Sequence, residues 1–206
     1  MPDGLLITIE GIDGAGKTTL AGALRDALRG RGIDAQLVRE PGGVELSERL
    51  RTLLADPSLQ IAASSEALLY AAARAQLVQE LLAPALGEGS LMLLDRFTDS
   101  SLAYQGAGRG LGIERIRAIN ELATGGLQPD RTLLLSLPPR LARERLAAEG
   151  RHADRLEREP DAFFEEIATA YDQLADAEPD RIAVLDASAS PEEVLAAALG
   201  ALDGLL

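Results

Sequence analysis

The chain has 206 residues, no cysteine and a formal net charge of −13. This length can bury a full hydrophobic core, so we expect a single domain over residues 1–206. The lack of cysteine excludes a disulfide framework and a thiolate metal site, and the acidic balance argues against a broad nucleic-acid surface. With no basic leader and no apolar run of about 18 residues, we expect a cytoplasmic protein that binds no membrane.

Short apolar runs alternate with helical periodicities along the chain. The runs predict strands at 5–9, 35–39, 91–94, 132–137 and 182–186. Helical spacing of apolar residues predicts helices at 18–29, 45–55, 66–86, 113–123, 140–148, 162–177 and 191–205. The alternation is typical of a three-layer α/β protein with a five-stranded parallel sheet flanked by helices. Since such sheets bind ligands at the carboxyl ends of their strands, the residues that follow the strands are the candidates for a site.

The first predicted strand runs into a complete G-x-x-x-x-G-K-[ST] motif at residues 11–18. In this motif glycines turn backbone N–H groups toward nucleotide phosphates, and the helix N-terminus adds partial positive charge. Lys17 is the only lysine in the chain, and its compact ammonium can touch the β- and γ-phosphates. The Thr18 hydroxyl can ligate Mg²⁺. The alternative, a chance glycine-rich turn, is disfavoured by the predicted strand before the motif and helix after it. The predicted phosphate-binding residues are Gly11, Ile12, Asp13, Gly14, Ala15, Gly16, Lys17, Thr18 and Thr19.

Charged and polar residues also follow the next two predicted strands. The second strand runs into R-E-P-G-G at 39–43, and the third into D-R-F at 95–97. Residues 101, 104 and 105 share one helical face, as do residues 70 and 74. Taken singly, such aromatic and arginine side chains also fit a core position or a solvated helix face.

Together these segments resemble the successive motifs of bacterial thymidylate kinases. The resemblance rests on residues 10–19, 39–43, 70–74, 95–97 and 101–106, and it covers nearly the whole chain. The phosphate loop alone is common to many NTPases, whereas R-E-P-G-G followed by D-R-F and S-L-A-Y-Q-G is specific. The resemblance implies a P-loop kinase that transfers the γ-phosphoryl group of ATP to dTMP, giving dTDP and ADP for dTTP synthesis. It also implies Mg²⁺ and a homodimer.

The same resemblance implies roles for individual residues. The catalytic residues would be Asp13, Lys17, Arg96 and Arg155. The metal would be held by Thr18, Asp13 and Asp95. The acceptor nucleotide would be bound by Arg39, Glu40, Arg51, Tyr70, Arg74, Arg96, Ser101, Tyr104 and Gln105. Among these, Tyr70 would stack on thymine, Arg74 would bond its O4, and Tyr104 would lie against C2′ of the sugar. The family more often has Phe at position 70, so the Tyr70 hydroxyl needs a partner, and Phe97 replaces a frequent Tyr or His.

A glycine-led, charge-dense segment at about 149–160 is expected to be a short lid, although its composition also fits a solvated connection between helices. One branch of the family carries an arginine where this chain has Gly14. The branch without it supplies an arginine from the lid, and Asp154-Arg155-Leu156 matches that pattern, with Arg151 and Arg158 as competing candidates. The single histidine, His152, lies in the same segment and is expected to be solvated. Residues 186–188 resemble the loop on the adenine side.

The sequence disfavours three functions other than a nucleoside monophosphate kinase. A GTPase switch needs N-K-x-D, which a chain with one lysine cannot contain. A nucleoside kinase shares the phosphate loop, but it would need a general base near the acceptor hydroxyl and little cationic charge, whereas three arginines follow the strands here. A catalytically idle binding protein is disfavoured by the intact phosphate loop and D-R-F motif.

Overall fold

The computed structural model describes residues 4–148, 150 and 154–206. The strands are β1 (Leu5–Gly11), β2 (Ala35–Arg39), β3 (Leu91–Asp95), β4 (Arg131–Ser136) and β5 (Ile182–Asp186). The helices are α1 (Lys17–Gly30), α2 (Glu45–Ala55), α3 (Ala63–Leu77), α4 (Ala83–Gly87), α5 (Thr98–Ser101), α6 (Ile113–Thr124), α7 (Pro139–Ala148), α8 (Asp161–Ala177) and α9 (Pro191–Ala201). Two π-helical segments, Val78–Leu82 and Leu102–Gly108, continue α3 and α5.

The strands form one parallel sheet in the order β2-β3-β1-β4-β5, which confirms the predicted fold class. Ile9 pairs with Asp95, and Asp95 pairs with Arg39. The carboxyl ends of β1, β3 and β2 therefore lie side by side. The three segments that carry the sequence motifs meet at this edge of the sheet.

Alternate residues of the strands pack into different parts of the core. Leu6 of β1 and Met92 of β3 cluster with Leu77 of α3, whereas Ile7 and its neighbours cluster with the buried leucines of α1. Because side chains alternate across a strand, these clusters lie on opposite faces of the sheet. Helices therefore cover both faces, as the apolar strand runs predict.

The predicted helix at 66–86 is one helical stretch with a π-helical turn inside it. The turn at Val78–Leu82 comes just before Pro84, which lies in the first turn of α4. Proline has no N–H and its ring clashes with the carbonyl four residues earlier, so a wider turn accommodates it. The C-terminal helix ends at Ala201, four residues before the predicted end at 205.

The helical segment at 98–108 was not among the predicted elements. Its polar start and its glycines are typical of a loop, although residues 101, 104 and 105 were expected to share one helical face. In the structure a side chain on Gly106 would come within 3.0 Å of Ile113, and one on Gly108 within 2.7 Å of Phe163. These glycines permit close packing, which periodicity along the sequence does not reveal. No helix in the described part of the chain has the length and apolar character needed to cross a membrane.

Candidate active site

The loop between β1 and α1 has the geometry of a phosphate-binding loop. Gly14 and Gly16 have φ values of 82° and 96°, which favour glycine, and α1 begins directly after Gly16. The Lys17 ammonium donates to the Ile12 carbonyl at 2.8 Å and its residue is only 7% exposed. Burial and the nearby charge of Arg96 lower the pKa of Lys17 to about 8, against the opposing effect of neighbouring carboxylates. An incoming polyphosphate would favour the charged form of this ammonium.

Gly14 is packed against the helix that precedes the predicted lid. A Cβ atom at this position would lie 2.4 Å from the carbonyl oxygen of Ala142 in α7. No arginine can occupy position 14 without displacing α7. With α7 in this position, residue 14 of the loop cannot supply a cation to the phosphates.

Thr18 and Asp95 bring two side-chain oxygen atoms together beside the loop. The Thr18 hydroxyl donates to the Asp95 carboxylate at 2.7 Å, and Asp95 ends β3 next to β1. Magnesium prefers one or two protein oxygens together with phosphates and water, and these two side chains fit that preference. The third predicted ligand, Asp13, has its carboxylate bonded to Arg96 and Tyr104 instead.

Arg96, Asp13 and Tyr104 form a compact cluster. Arg96 donates to Asp13, to the Gly11 carbonyl at 3.0 Å and to the Tyr104 hydroxyl at 3.2 Å, and its guanidinium lies 5.0 Å from the centre of the Tyr104 ring. Burial would raise the pKa of Asp13, but the charges of Arg96 and Lys17 outweigh it and lower the pKa to about 2. Asp13 is thus ionised at physiological pH, so its carboxylate accepts hydrogen bonds and does not donate a proton.

Two cavities open at the carboxyl edge of the sheet. The larger is lined by the phosphate loop, by Asp95 and by the region of Ala187 that follows β5. The smaller is lined by acceptor residues expected from the sequence, including Tyr70, Arg74, Ser101, Tyr104 and Gln105. The two cavities share these lining residues: Asp13, Glu40, Arg51, Arg96 and Asp154. A group held in one cavity can therefore approach a group held in the other at this cluster.

Arg74 is at once a cavity residue and part of the buried framework. It is 1% exposed and forms an ion pair with Glu40, which is also buried. Its other donors reach Asn120, the Phe97 carbonyl at 3.1 Å and the Ser101 hydroxyl at 3.0 Å. Burial raises the pKa of Glu40, although Arg74 opposes the shift. Removing Arg74 would leave an unpaired carboxyl group in the interior.

The other residues expected to bind the acceptor nucleotide differ in whether their side chains already form hydrogen bonds within the protein. Gln105 donates to the buried Glu66 at 2.9 Å, whereas the Tyr70 hydroxyl forms no hydrogen bond to any described residue. Arg51 donates to the Pro41 carbonyl at 3.1 Å and lines both cavities. Arg39 lines the larger cavity and pairs with Glu48 at 3.0 Å. Arg51 therefore lies where the two cavities meet, whereas Arg39 lines only the larger cavity, and a contact of either arginine with the acceptor phosphate stays a prediction.

The structure does not bring Arg155 to the phosphate loop. Its guanidinium donates to Glu66 at 2.7 Å and to the Leu54 carbonyl at 2.9 Å, and its side chain is 10% exposed. One guanidinium nitrogen, Nη2, is buried with no hydrogen-bond partner among the residues that the structure describes. The role of Arg155 in phosphoryl transfer remains a prediction, and it requires release from Glu66. Arg151 and His152 lie outside the described residues.

Sequence reasoning missed several residues that organise the site. Glu66 accepts hydrogen bonds from Gln105, Arg109 and Arg155, and Glu10 is fully buried beside the D-R-F turn. A charged residue inside an apolar strand was a usable signal for Glu10. Arg145 lines the larger cavity and donates to the Ala187 carbonyl at 2.9 Å, and nothing distinguished it from the other arginines of its helix.

A parallel sheet with a phosphate loop after its central strand, and an acid–arginine pair beside it, is the arrangement of P-loop kinases that act on nucleosides and nucleoside monophosphates. A sequence profile of the family described as thymidylate kinase matches residues 9–198. The chain belongs to the thymidylate kinase family.

Individual relatives agree with the family match. The chain is 50% identical over 192 residues to the thymidylate kinase of Pseudomonas putida (strain GB-1), covering 93% of this chain and 91% of the relative. It is 46% identical over 209 residues to that of Desulfovibrio desulfuricans, covering 98% and 96%. The crystal structure of thymidylate kinase from Ehrlichia chaffeensis superposes with a TM-score of 0.80 at 27% identity, over 98% of this chain and 99% of that one.

Proposed function

We propose that the enzyme transfers the γ-phosphoryl group of ATP to dTMP with the help of Mg²⁺. The observation that carries this proposal is the meeting of the two cavities at Asp13, Arg51 and Arg96. ATP would place its phosphates in the larger cavity, and dTMP would place its base in the smaller one. The two phosphates would then face each other beside Arg96. The phosphate of dTMP is already ionised and needs no general base, and the Asp13 carboxylate at this junction is held by Arg96 and Tyr104.

Each residue contributes positioning and charge, which is what phosphoryl transfer requires of a protein. Lys17 and the loop amides would hold the donor phosphates. Thr18 and Asp95 would hold Mg²⁺, which when bound neutralises charge on the phosphates. Arg96 would bridge the acceptor phosphate and the transferred group, and Asp13 would keep its guanidinium in place. Arg145 and the loop at 187–189 would flank the adenine.

A coupled assay with ATP and four acceptors tests the proposal. Thymidine, dTMP, UMP and AMP are offered in parallel, and we expect ADP to form rapidly with dTMP alone. Rapid turnover with thymidine would indicate a nucleoside kinase instead. If none of the four acceptors supports ADP formation above the buffer background, a binding protein is favoured instead.

Arg74→Ala is expected to raise the KM for dTMP by roughly 10- to 100-fold, with little change in the KM for ATP, because it removes a charged donor from one substrate only. It should also destabilise the fold by about 3–5 kcal/mol, since Glu40 stays buried without its partner. Steady-state kinetics and thermal unfolding measure the two effects. Adding Glu40→Gln should restore part of the stability and leave the KM for dTMP high.

A matched control for Arg74 is Arg181, an arginine that pairs with the buried Asp99 at 2.8 Å and lines neither cavity. Arg181→Ala should lower the unfolding temperature with both KM values near those of the wild type. If Arg74→Ala instead changes the KM values for dTMP and ATP equally, then Arg74 is a structural residue and does not contact the base.

We further propose that the enzyme is a homodimer built through α2, α3 and α6. Helix α3 contacts both α2 and α6, and each helix exposes leucine side chains. These are Leu46, Leu53, Leu68 and Leu122. Apolar side chains that cluster on adjoining helices are typical of an interface between copies of a chain. Sedimentation velocity at micromolar concentration should give the mass of a dimer, and a monomer there would refute the proposal.

A further inference from the structure

Glu10 is a fully buried carboxylate that the reaction described above does not use. It precedes the phosphate loop in β1 and is 0% exposed. It accepts hydrogen bonds from the Phe97 backbone at 2.7 Å, the Ser100 hydroxyl at 2.6 Å and the Tyr171 hydroxyl at 2.8 Å. The donors come from the D-R-F turn, from α5 and from α8. Glu10 therefore joins the strand beneath the loop to the segment that carries Arg96.

Ser100 connects Glu10 to Arg96. Its hydroxyl donates to Glu10, and its oxygen accepts a hydrogen bond from the Arg96 guanidinium at 3.0 Å. Arg96 has φ of 71°, a conformation that non-glycine residues rarely adopt. The bond from the Phe97 N–H to Glu10 holds the backbone immediately after this residue. Both the backbone and the guanidinium of Arg96 thus depend on Glu10.

We propose that Glu10 is a positioning residue for phosphoryl transfer, which acts through Ser100 and the D-R-F turn to hold the Arg96 guanidinium at the junction of the two cavities. The inference rests on the proposed function, because Arg96 is the group that would meet the transferred phosphate. Glu10 itself touches no substrate. Its contribution is to keep Arg96 oriented before the substrates arrive, so that no reorganisation is needed during the reaction.

In its ionised form, which dominates above about pH 7, Glu10 gives the relay its direction. An ionised carboxylate only accepts hydrogen bonds, so the Ser100 hydrogen must point to Glu10 and the Ser100 lone pairs are left for Arg96. A neutral group at this position could donate to Ser100 or Tyr171 and free the hydroxyl to rotate. The charged groups around Glu10 are Asp99, Arg96 and Lys17, with Tyr171 bonded to it directly.

This charge is held at a cost in stability. Burial and then the repulsion of Asp99 raise the pKa of Glu10 to about 7, although Ser100, Arg96 and Phe97 oppose the shift. The folded protein therefore binds a proton more readily at this site than the unfolded chain does. The stability that Glu10 contributes is present below pH 4.5 and is lost as pH rises through about 7.

Glu10→Gln, Ser100→Ala and the double variant test the proposal in the full-length enzyme with ATP and dTMP. We expect each single variant to lower kcat by roughly 10- to 100-fold with little change in the KM for ATP. The double variant should match the worse single variant, because both changes interrupt one connection. At pH 8 Glu10→Gln should unfold at or above the temperature of the wild type.

Ser47 provides a matched control, because it is a buried serine whose hydroxyl donates to the Ala73 carbonyl at 2.6 Å, away from Arg96. Ser47→Ala should lose stability and keep kcat. A kcat within about twofold of the wild type in folded Glu10→Gln and Ser100→Ala would overturn the proposal, as would additive losses in the double variant. If Glu10→Gln does not fold, Ser100→Ala decides the question. A wild-type enzyme that fails to phosphorylate dTMP would refute the proposed function instead.

Discussion

Lys17→Ala is expected to keep its fold and to lower kcat by at least about 10²–10³-fold, the loss typical of removing one preorganised charge-stabilising donor. The only hydrogen bond that Lys17 donates within the described residues is to the Ile12 carbonyl. Its pKa of about 8 shows that the protonated ammonium is less favourable in the fold than in the unfolded chain. Removing it should therefore not reduce stability. Thermal unfolding and steady-state kinetics on the same sample measure both quantities.

A second substitution of Lys17 separates the effect of its charge from that of its shape, and a variant elsewhere on α1 serves as the control. Lys17→Arg keeps the charge but replaces a compact ammonium with a wide planar group in a site that is almost fully buried. We expect it to be nearly as inactive as Lys17→Ala. Arg25→Ala, on the exposed side of α1, should keep the wild-type kcat. Full activity in Lys17→Ala would show that the loop does not bind phosphate through this lysine.

The pKa of Lys17 also predicts a pH dependence for ATP binding. In the free enzyme the ammonium loses its proton as pH rises through about 8, so kcat/KM for ATP should fall in that range. With ATP bound, the phosphates favour the charged form, so kcat at saturation should hold to higher pH. Identical pH profiles for the two quantities would mean that another group controls ATP binding.

The second large loss of kcat is expected from Arg155→Ala. An arginine that reaches the transferred group contributes roughly 10³–10⁵ to turnover in related enzymes, and Gly14 cannot supply one because α7 lies against it. We expect Arg155 to exchange its bond to Glu66 for the phosphate when both substrates are bound. Closure of the predicted lid at about 149–160 would also exclude water and limit ATP hydrolysis when no dTMP is bound.

Alanine variants of Arg151, Arg155 and Arg158 under saturating ATP and dTMP distinguish the three candidates. A large loss of kcat confined to Arg155→Ala supports its assignment. If Arg155→Ala changes only the KM for dTMP, the arginine acts where the structure places it, against Glu66 and Leu54 at the acceptor cavity. Turnover within a few-fold of the wild type in all three variants would mean that the charge comes from another part of the enzyme.

Features that depend on residues close together in the sequence could be predicted, whereas features that depend on distant residues could not. The phosphate loop and the strands could be predicted because their geometry depends on residues a few positions apart. The α1 start after Gly16 and the β2 and β5 boundaries agree with the sequence pattern. The ordering of motifs at strand ends was enough to predict that Asp13 and Arg96 belong to one site.

The local chemistry was therefore predictable from the sequence alone: the loop, the strands that precede each motif and the residue types at the site. The partners of the buried charges depend on the tertiary fold. Arg74 pairs with Glu40 across 34 positions, Arg155 with Glu66 across 89, and Tyr171 with Glu10 across 161. A buried charge must find a partner wherever packing brings one, and packing between distant segments leaves no periodic trace in the chain. For that reason the partners of Glu10 and Glu66 became visible only in the folded protein.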